Sequence, residues 1–186
     1  MLNKKNMFVL AAGAALVGLL GIAASKEDLI QYKLGGAFIG TSPGLVWSAV
    51  HTPRDPAGRT AALVVRDLDD DGTLAGLITA FGGDTGSEGV IEAQMISRDT
   101  AKWTMISYAQ VAGVTPKITA IFVWAGTLKF TGPDDYVLDY SLNIYPVNVP
   151  GLPNADVNHD GFPDAGATPA LTISGIPGAA KRVPVQ

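Results

Sequence analysis

Period-two alternation through the middle of the chain restricts its fold more than any other feature. In YVLDYSLNIY, Tyr136, Leu138, Tyr140, Leu142 and Ile144 share one face, opposite Val137, Asp139, Ser141, Asn143 and Tyr145. In KITAIFVWA, Ile118, Ala120, Phe122 and Trp124 share a face, while Lys117 and Thr119 begin the other. In AKWTMISYAQ, the shared face holds Trp103, Met105, Ser107 and Ala109. Successive side chains of a strand point to opposite faces, so each run buries one side and wets the other. Further apolar runs (GGAFIG, LVWSAVHT, RTAALVVRD, TLAGLITAF, EGVIEAQMISR and TPALTISGI) are read as strands as well. Turn chemistry separates them, including Ser42-Pro43-Gly44, PRDPAG, LDDDG and TGPDD. No segment beyond the N-terminal region carries a convincing amphipathic helix, with at best a turn or more in SKEDLIQYK.

The count is about eight to ten strands, and short connections make neighbours in sequence antiparallel. A meander of this length leaves sticky edges unless it closes on itself. The expected fold is therefore all-β, an antiparallel up-and-down barrel of about eight to ten strands. Such a barrel has room for its own side chains or one small ligand. A β-sandwich is the alternative. The 186 residues suffice for one domain with a real core.

At the N-terminus, Lys4 and Lys5 precede an apolar run, MFVLAAGAALVGLLGIAA, and the chain then turns polar at SKEDLIQYK. A basic start, an apolar middle and a small-residue exit describe a secretory signal peptide over residues 1–25. That leaves 26–186 as a single β-barrel domain, secreted or held in the periplasm or cell envelope, with no membrane span after cleavage. Retained, the same run would serve as an anchor helix. The absence of cysteine excludes a lipid-modified anchor and any disulfide, so an exported domain must be held by a large core or a metal. Without Lys4 and Lys5, 11 basic residues face 17 acidic ones and the net charge moves from -4 to -6. No basic stripe interleaves with aromatics, and no nucleic-acid surface is expected.

The opening run LGGAFIG, after a short N-terminal segment and before a turn-punctuated meander, resembles the lipocalin-like (calycin-type) barrels. That family places tryptophan two residues after a glycine. Here Gly36 is followed by Ala37 and Phe38, so the position is aromatic without being tryptophan. The chain also resembles secreted bacterial proteins that share an IGTSPGLVW and DPAGRTAAL type of start, a DGFPD loop and an AKRVPV end. The resemblance implies a barrel able to hold a small hydrophobic ligand and implies no particular activity.

The sharpest chemical signal is DVNHDGFPD. Asp156, Asn158 and Asp160 occupy positions one, three and five of a loop, Gly161 position six and Asp164 position nine. Phe162, at seven, would offer its backbone carbonyl. Calcium takes six to eight oxygens, and alternate positions around a glycine bend supply them. Position twelve is Ala167, where an EF-hand needs glutamate, and Pro150, Pro153 and Pro163 disfavour flanking helices. The stretch is instead similar to the helix-poor calcium loops of thrombospondin type 3 repeats and dockerins. A structural calcium site is expected, in a loop insertion at about 150–168. Asp67, Asp69 and Asp71 repeat the spacing before Gly72, but Ala75 and Ile78 fall where further ligands belong, so a hairpin loop is the leading reading and a second calcium site the alternative.

The case for catalysis is thin. His51 lies four residues before Asp55, and His159 lies inside the calcium-like loop. There is neither a nucleophile elbow nor zinc spacing. Trp47, Trp103 and Trp124, with Phe38, Phe122 and Phe130, either line a ligand cavity or form ordinary core. The leading expectation is a non-enzymatic exported barrel that binds a small apolar ligand or a surface partner. The alternatives are a purely structural envelope protein and a barrel enzyme using His51 and Asp55.

Overall fold

The computed structural model describes residues 35–54, 60–67 and 73–184. The leader expected at 1–25 and the segment SKEDLIQYK lie outside them. Among the described residues the alternating runs form nine strands: β1 Gly36–Ser42, β2 Leu45–Pro53, β3 Thr60–Asp67, β4 Thr85–Gly86, β5 Gly89–Met95, β6 Thr100–Val111, β7 Lys117–Phe130, β8 Asp135–Pro146 and β9 Leu171–Arg182. Eight of them join in a ring. β1 pairs with β2, β2 with β3, β3 with β5, and then β5 through β9 pair in chain order, every ladder antiparallel. The pairing of Phe38–Thr41 in β1 with Ala179–Arg182 in β9 closes the ring. This is the expected antiparallel up-and-down barrel, with strand order following the chain. β4 extends the line of β5 along the same edge of β6, where Thr85 faces Gln110.

One expectation fails. TLAGLITAF does not make a strand. Thr73–Ala80 is an α-helix, α1, and β3 pairs with β5 instead of forming a hairpin across LDDDG. The cause is visible in the spacing, since Leu74, Leu77, Ile78 and Phe81 recur at the helical three and four. Ile78 and Phe81 are buried by that face. The helix stops at Gly82, whose φ of 78° is left-handed. The Gly83 amide then bonds back to the Ile78 carbonyl at 3.0 Å and the Gly82 amide to that of Thr79 at 3.0 Å, which is a Schellman closure. No helix among the described residues is long and apolar enough to cross a membrane.

The closing run TPALTISGI continues into AAKR as one strand, β9. β9 carries a bulge in which Ser174 and Gly175 stand against Ser141, between the pairs Tyr140–Ile176 and Leu142–Ile173. The left-handed Gly175, φ 68°, makes the bulge possible.

One end of the barrel is sealed by rings and a cation. Phe38 is fully buried against His51 and Tyr136, with ring centroids at 4.8 and 4.9 Å, and Phe130 stands 5.6 Å from Tyr136. The Arg182 guanidinium lies 4.6 Å from the Phe38 ring. It is fixed there by Asp134 at 3.0 Å and by the Gly35 carbonyl. At the other end lie α1, the β1–β2 turn and the long connection from β8 to β9.

Candidate functional site: an interior chamber and an acidic loop

A cavity of about 110 Å³ lies inside the barrel. The largest side chains in its walls are aromatic: Trp47 from β2, Trp103 from β6, Trp124 from β7, and Tyr136 and Tyr140 from β8. The alternation puts them there, because each occupies the inward phase of its strand. Gly126 is paired with both Trp103 and Tyr140, and across that bare position their rings approach to 5.4 Å. A wider recess of about 290 Å³ adjoins the cavity, bounded by α1, Pro43 and the β9 bulge. Leu45, Leu74, Trp124 and Tyr140 line both spaces and so form the neck between them.

The chamber carries few polar groups. At the sealed end, His51 is 3% exposed and its Nε2 lies 3.3 Å from the Tyr136 hydroxyl. Burial first, and the nearby Arg182 charge second, hold His51 down at about 3, so the ring is neutral at physiological pH. Burial also pushes the Tyr136 phenol well above its ordinary value, with Arg182 opposing, so it stays protonated. Trp124 Nε1 donates to Ser107 Oγ at 3.0 Å and Trp47 Nε1 to Ser42 Oγ at 3.4 Å. Among the described residues, His51 Nδ1 and Trp103 Nε1 are buried without a hydrogen-bond partner.

The acidic loop lies outside the barrel, in the 147–170 connection. It covers the outward side of β6 and β7, where Ile121 is fully buried and Val147, Ala155 and Asp156 are nearly so. Val147 donates to the Thr119 carbonyl at 2.7 Å, and the Tyr108 hydroxyl donates to the Gly161 carbonyl at 3.2 Å. Burial, followed by the Asp156 and Asp160 charges, raises the Tyr108 phenol above its usual value.

Within the loop the expected ligands turn back onto their own backbone. The Asp156 carboxylate accepts the amides of Asp160 and Gly161, each at 3.1 Å. Asn158 Oδ1 takes the Asp160 amide at 3.0 Å, and Asp160 takes that of Phe162 at 2.8 Å. Asp164 reaches back to the Val157 amide at 2.7 Å. His159 at φ 59° and Gly161 at φ 83° supply the left-handed bends, and the His159 side chain is exposed. No three acidic or histidine side chains among the described residues converge tightly enough to grip an ion in this conformation.

The structure thus gathers Asp156, Asn158, Asp160, Phe162 and Asp164 in one loop. It places His51 in the barrel interior. Asp55, Asp69 and Asp71 lie outside the described residues, and Asp67 ends β3. Of the aromatic set, the three tryptophans line the chamber, whereas Phe38, Phe122 and Phe130 are core around it. Sequence reasoning overlooked Tyr136, Tyr140 and Met105 as lining residues, although the alternation had already put them on the inward faces. It overlooked Leu74 because α1 was read as a strand.

No protein-family model matches the sequence, and no curated protein does. Solved structures do match. EF1p2_mFAP2b bound to DFHBI is 14% identical, with 81% of this chain and 94% of that chain covered and a TM-score of 0.45. The redesigned beta barrel b11L5F_LGL is 12% identical, covers 83% and 95%, and scores 0.45. The redesigned beta barrel mFAP1, bound to DFHBI, is 13% identical, covers 82% and 97%, and scores 0.44.

Proposed function

We propose that this is an exported, non-enzymatic carrier of the lipocalin-like kind, taking a small apolar ligand into the barrel and using calcium to order its long loop. The aromatic chamber carries the first half of this reading, since an apolar pocket with a few polar groups is the form of small-molecule sites. At about 110 Å³ the chamber is well below the several hundred Å³ of drug-sized pockets, and a ligand of about one ring also takes up part of the adjoining recess of about 290 Å³. A neutral His51 held at about 3 is a poor general base near pH 7, which weighs against the enzymatic alternative. Ala49 lines the chamber, and Ala49→Leu would occupy part of its volume. We expect tryptophan fluorescence to show saturable binding of single-ring hydrocarbons to the wild type, and this variant to lose it with an unchanged circular dichroism spectrum. Equal affinity in both would overturn the interior site. Export rests on the leader, and a mature mass that includes Met1–Ala24 would exclude cleavage.

The calcium half rests on four oxygen side chains at positions one, three, five and nine, in a chain that has no disulfide to hold 24 loop residues, 147–170, in place. Each carboxylate oxygen that accepts an amide keeps a second lone pair for an ion. An ion bound only by the folded loop stabilises the protein by about 2.7 kcal/mol at one hundred times its dissociation constant. We expect millimolar calcium to raise the melting temperature over that in excess chelator, and Asp160→Ala to erase the difference. Identical wild-type melting in calcium and chelator would reduce the loop to a polar turn.

A further inference from the structure

The chamber's two orphaned nitrogens say what kind of molecule it takes. His51 Nδ1 and Trp103 Nε1 have no hydrogen-bond partner among the described residues, and both side chains line the cavity. An indole nitrogen can only donate. The role of His51 Nδ1 follows from its neighbour. The Tyr136 hydroxyl is protonated, is buried, and stands 3.3 Å from Nε2. A hydroxyl can donate or accept at this distance, but this one has no other hydrogen-bond partner among the described residues, and only donation to Nε2 uses its proton. That arrangement leaves one group unpaired where the reverse leaves two, and it places the ring hydrogen on Nδ1. The interior then presents two unsatisfied N–H donors in an otherwise apolar, aromatic space. Buried donors left without acceptors are costly, and most proteins do not tolerate them without a water or a ligand. An anion is a poor match. Among the described residues the cavity lining holds no Lys, Arg, Asp or Glu, and Arg182 at the sealed end is already engaged by Asp134, by the Gly35 and Pro133 carbonyls and by the Phe38 ring.

We propose, building on the interior-binding reading above, that the ligand is a neutral, single-ring aromatic carbonyl compound. Its ring stacks among Trp47, Trp124 and Tyr140, and its carbonyl oxygen accepts from Trp103 Nε1 and His51 Nδ1. A carbonyl oxygen has two lone pairs and no proton, which matches two donors. A buried cavity of about 150 Å³ in another protein holds benzene, so the chamber of about 110 Å³ is short of a substituted ring by itself, and the ligand extends through the neck into the adjoining recess of about 290 Å³.

Three probes test this on the mature protein by titration of tryptophan fluorescence, with isothermal calorimetry as a second readout. They are acetophenone, α-methylstyrene, which replaces the oxygen by CH₂ at the same shape, and benzoate. Acetophenone should bind about tenfold or more tightly than α-methylstyrene, because the hydrocarbon leaves both donors unpaired. Trp103→Phe and His51→Phe should each shrink that ratio towards one, whatever the change of wall volume does to the affinity for both probes. Equal affinities in the wild type would overturn the carbonyl class, with water serving the two nitrogens, and would leave interior binding of apolar molecules standing. Benzoate binding more tightly than acetophenone would overturn the requirement for neutrality. Failure of all three to bind would remove the interior-binding reading itself.

Discussion

Acidification from pH 7 to pH 4 should cost this barrel on the order of 3 kcal/mol through His51 alone. The ring is buried, and its folded value of about 3 lies far below the 6.5 of an exposed histidine. Below pH 6.5 the unfolded chain takes a proton on this residue and the folded chain does not. Protons therefore favour unfolding across the window from about 6.5 down to about 3. The stability is fully present above that window and is lost within it, with no further loss below. Carboxylates add their own acid dependence, so the measurement is a difference. Urea unfolding at pH 7, 5.5 and 4 should show a steeper decline for wild type than for His51→Phe, which keeps a ring against Phe38 but cannot titrate. The variant leaves the Tyr136 hydroxyl without its partner and loses some stability at every pH. That constant offset does not alter the slope. Parallel slopes would mean that the folded protein protonates His51 readily, and the neutral chamber would have to be abandoned.

His51 also shows where the sequence was legible and where it was not. Its inward phase follows from LVWSAVHT, in which Leu45, Trp47, Ala49 and His51 alternate with exposed or half-exposed positions. The barrel itself followed from the same rule in three long runs together with the turn-separated apolar runs around them, because a long antiparallel meander with short turns has few ways to avoid free edges. What the rule does not carry is the third dimension. That Tyr136 stands beside His51, 85 positions away, depends on the ring closing between β1 and β9 and on the stagger of the strands. The helix α1 was misjudged for a different reason. TLAGLITAF is a short apolar run, and periodicity over nine residues fits either element when read loosely. The decisive marks were the three-and-four spacing of Leu74, Leu77, Ile78 and Phe81 and the glycine pair after Phe81. The acidic loop was legible to the residue as a candidate, because its spacing is local. Its packing against Tyr108 and Ile121 was not, since outward strand positions are ordinarily wet. Here a 24-residue connection covers them and makes a second, smaller core.

Gly126→Ala should destabilise the barrel by about 3 kcal/mol or more, a large loss for the addition of one methyl group. Gly126 lies in β7, paired with Trp103 on one side and Tyr140 on the other. A Cβ built on it would overlap the Asp139 carbonyl oxygen and lie 2.6 Å from both Cα and Cβ of Tyr140. The first two are backbone atoms of the neighbouring strand. They cannot yield without opening the β7–β8 ladder, unlike a flexible side chain, which turns aside. Alanine in place of glycine ordinarily stabilises by about 0.4–1 kcal/mol through the unfolded chain, and here the clash outweighs that gain. Gly113, in the turn after β6, is the control. A Cβ there meets only the Thr115 carbonyl oxygen, at 3.8 Å, so Gly113→Ala should stay within about 0.5 kcal/mol of wild type. Urea unfolding of the two variants measures both. The position also bears on binding, because the Trp103–Tyr140 contact across Gly126 shapes the chamber wall. If Gly126→Ala unfolds within about 0.5 kcal/mol of wild type, the strands are not pressed together at this point, and the bare position would not be what lets the two rings meet.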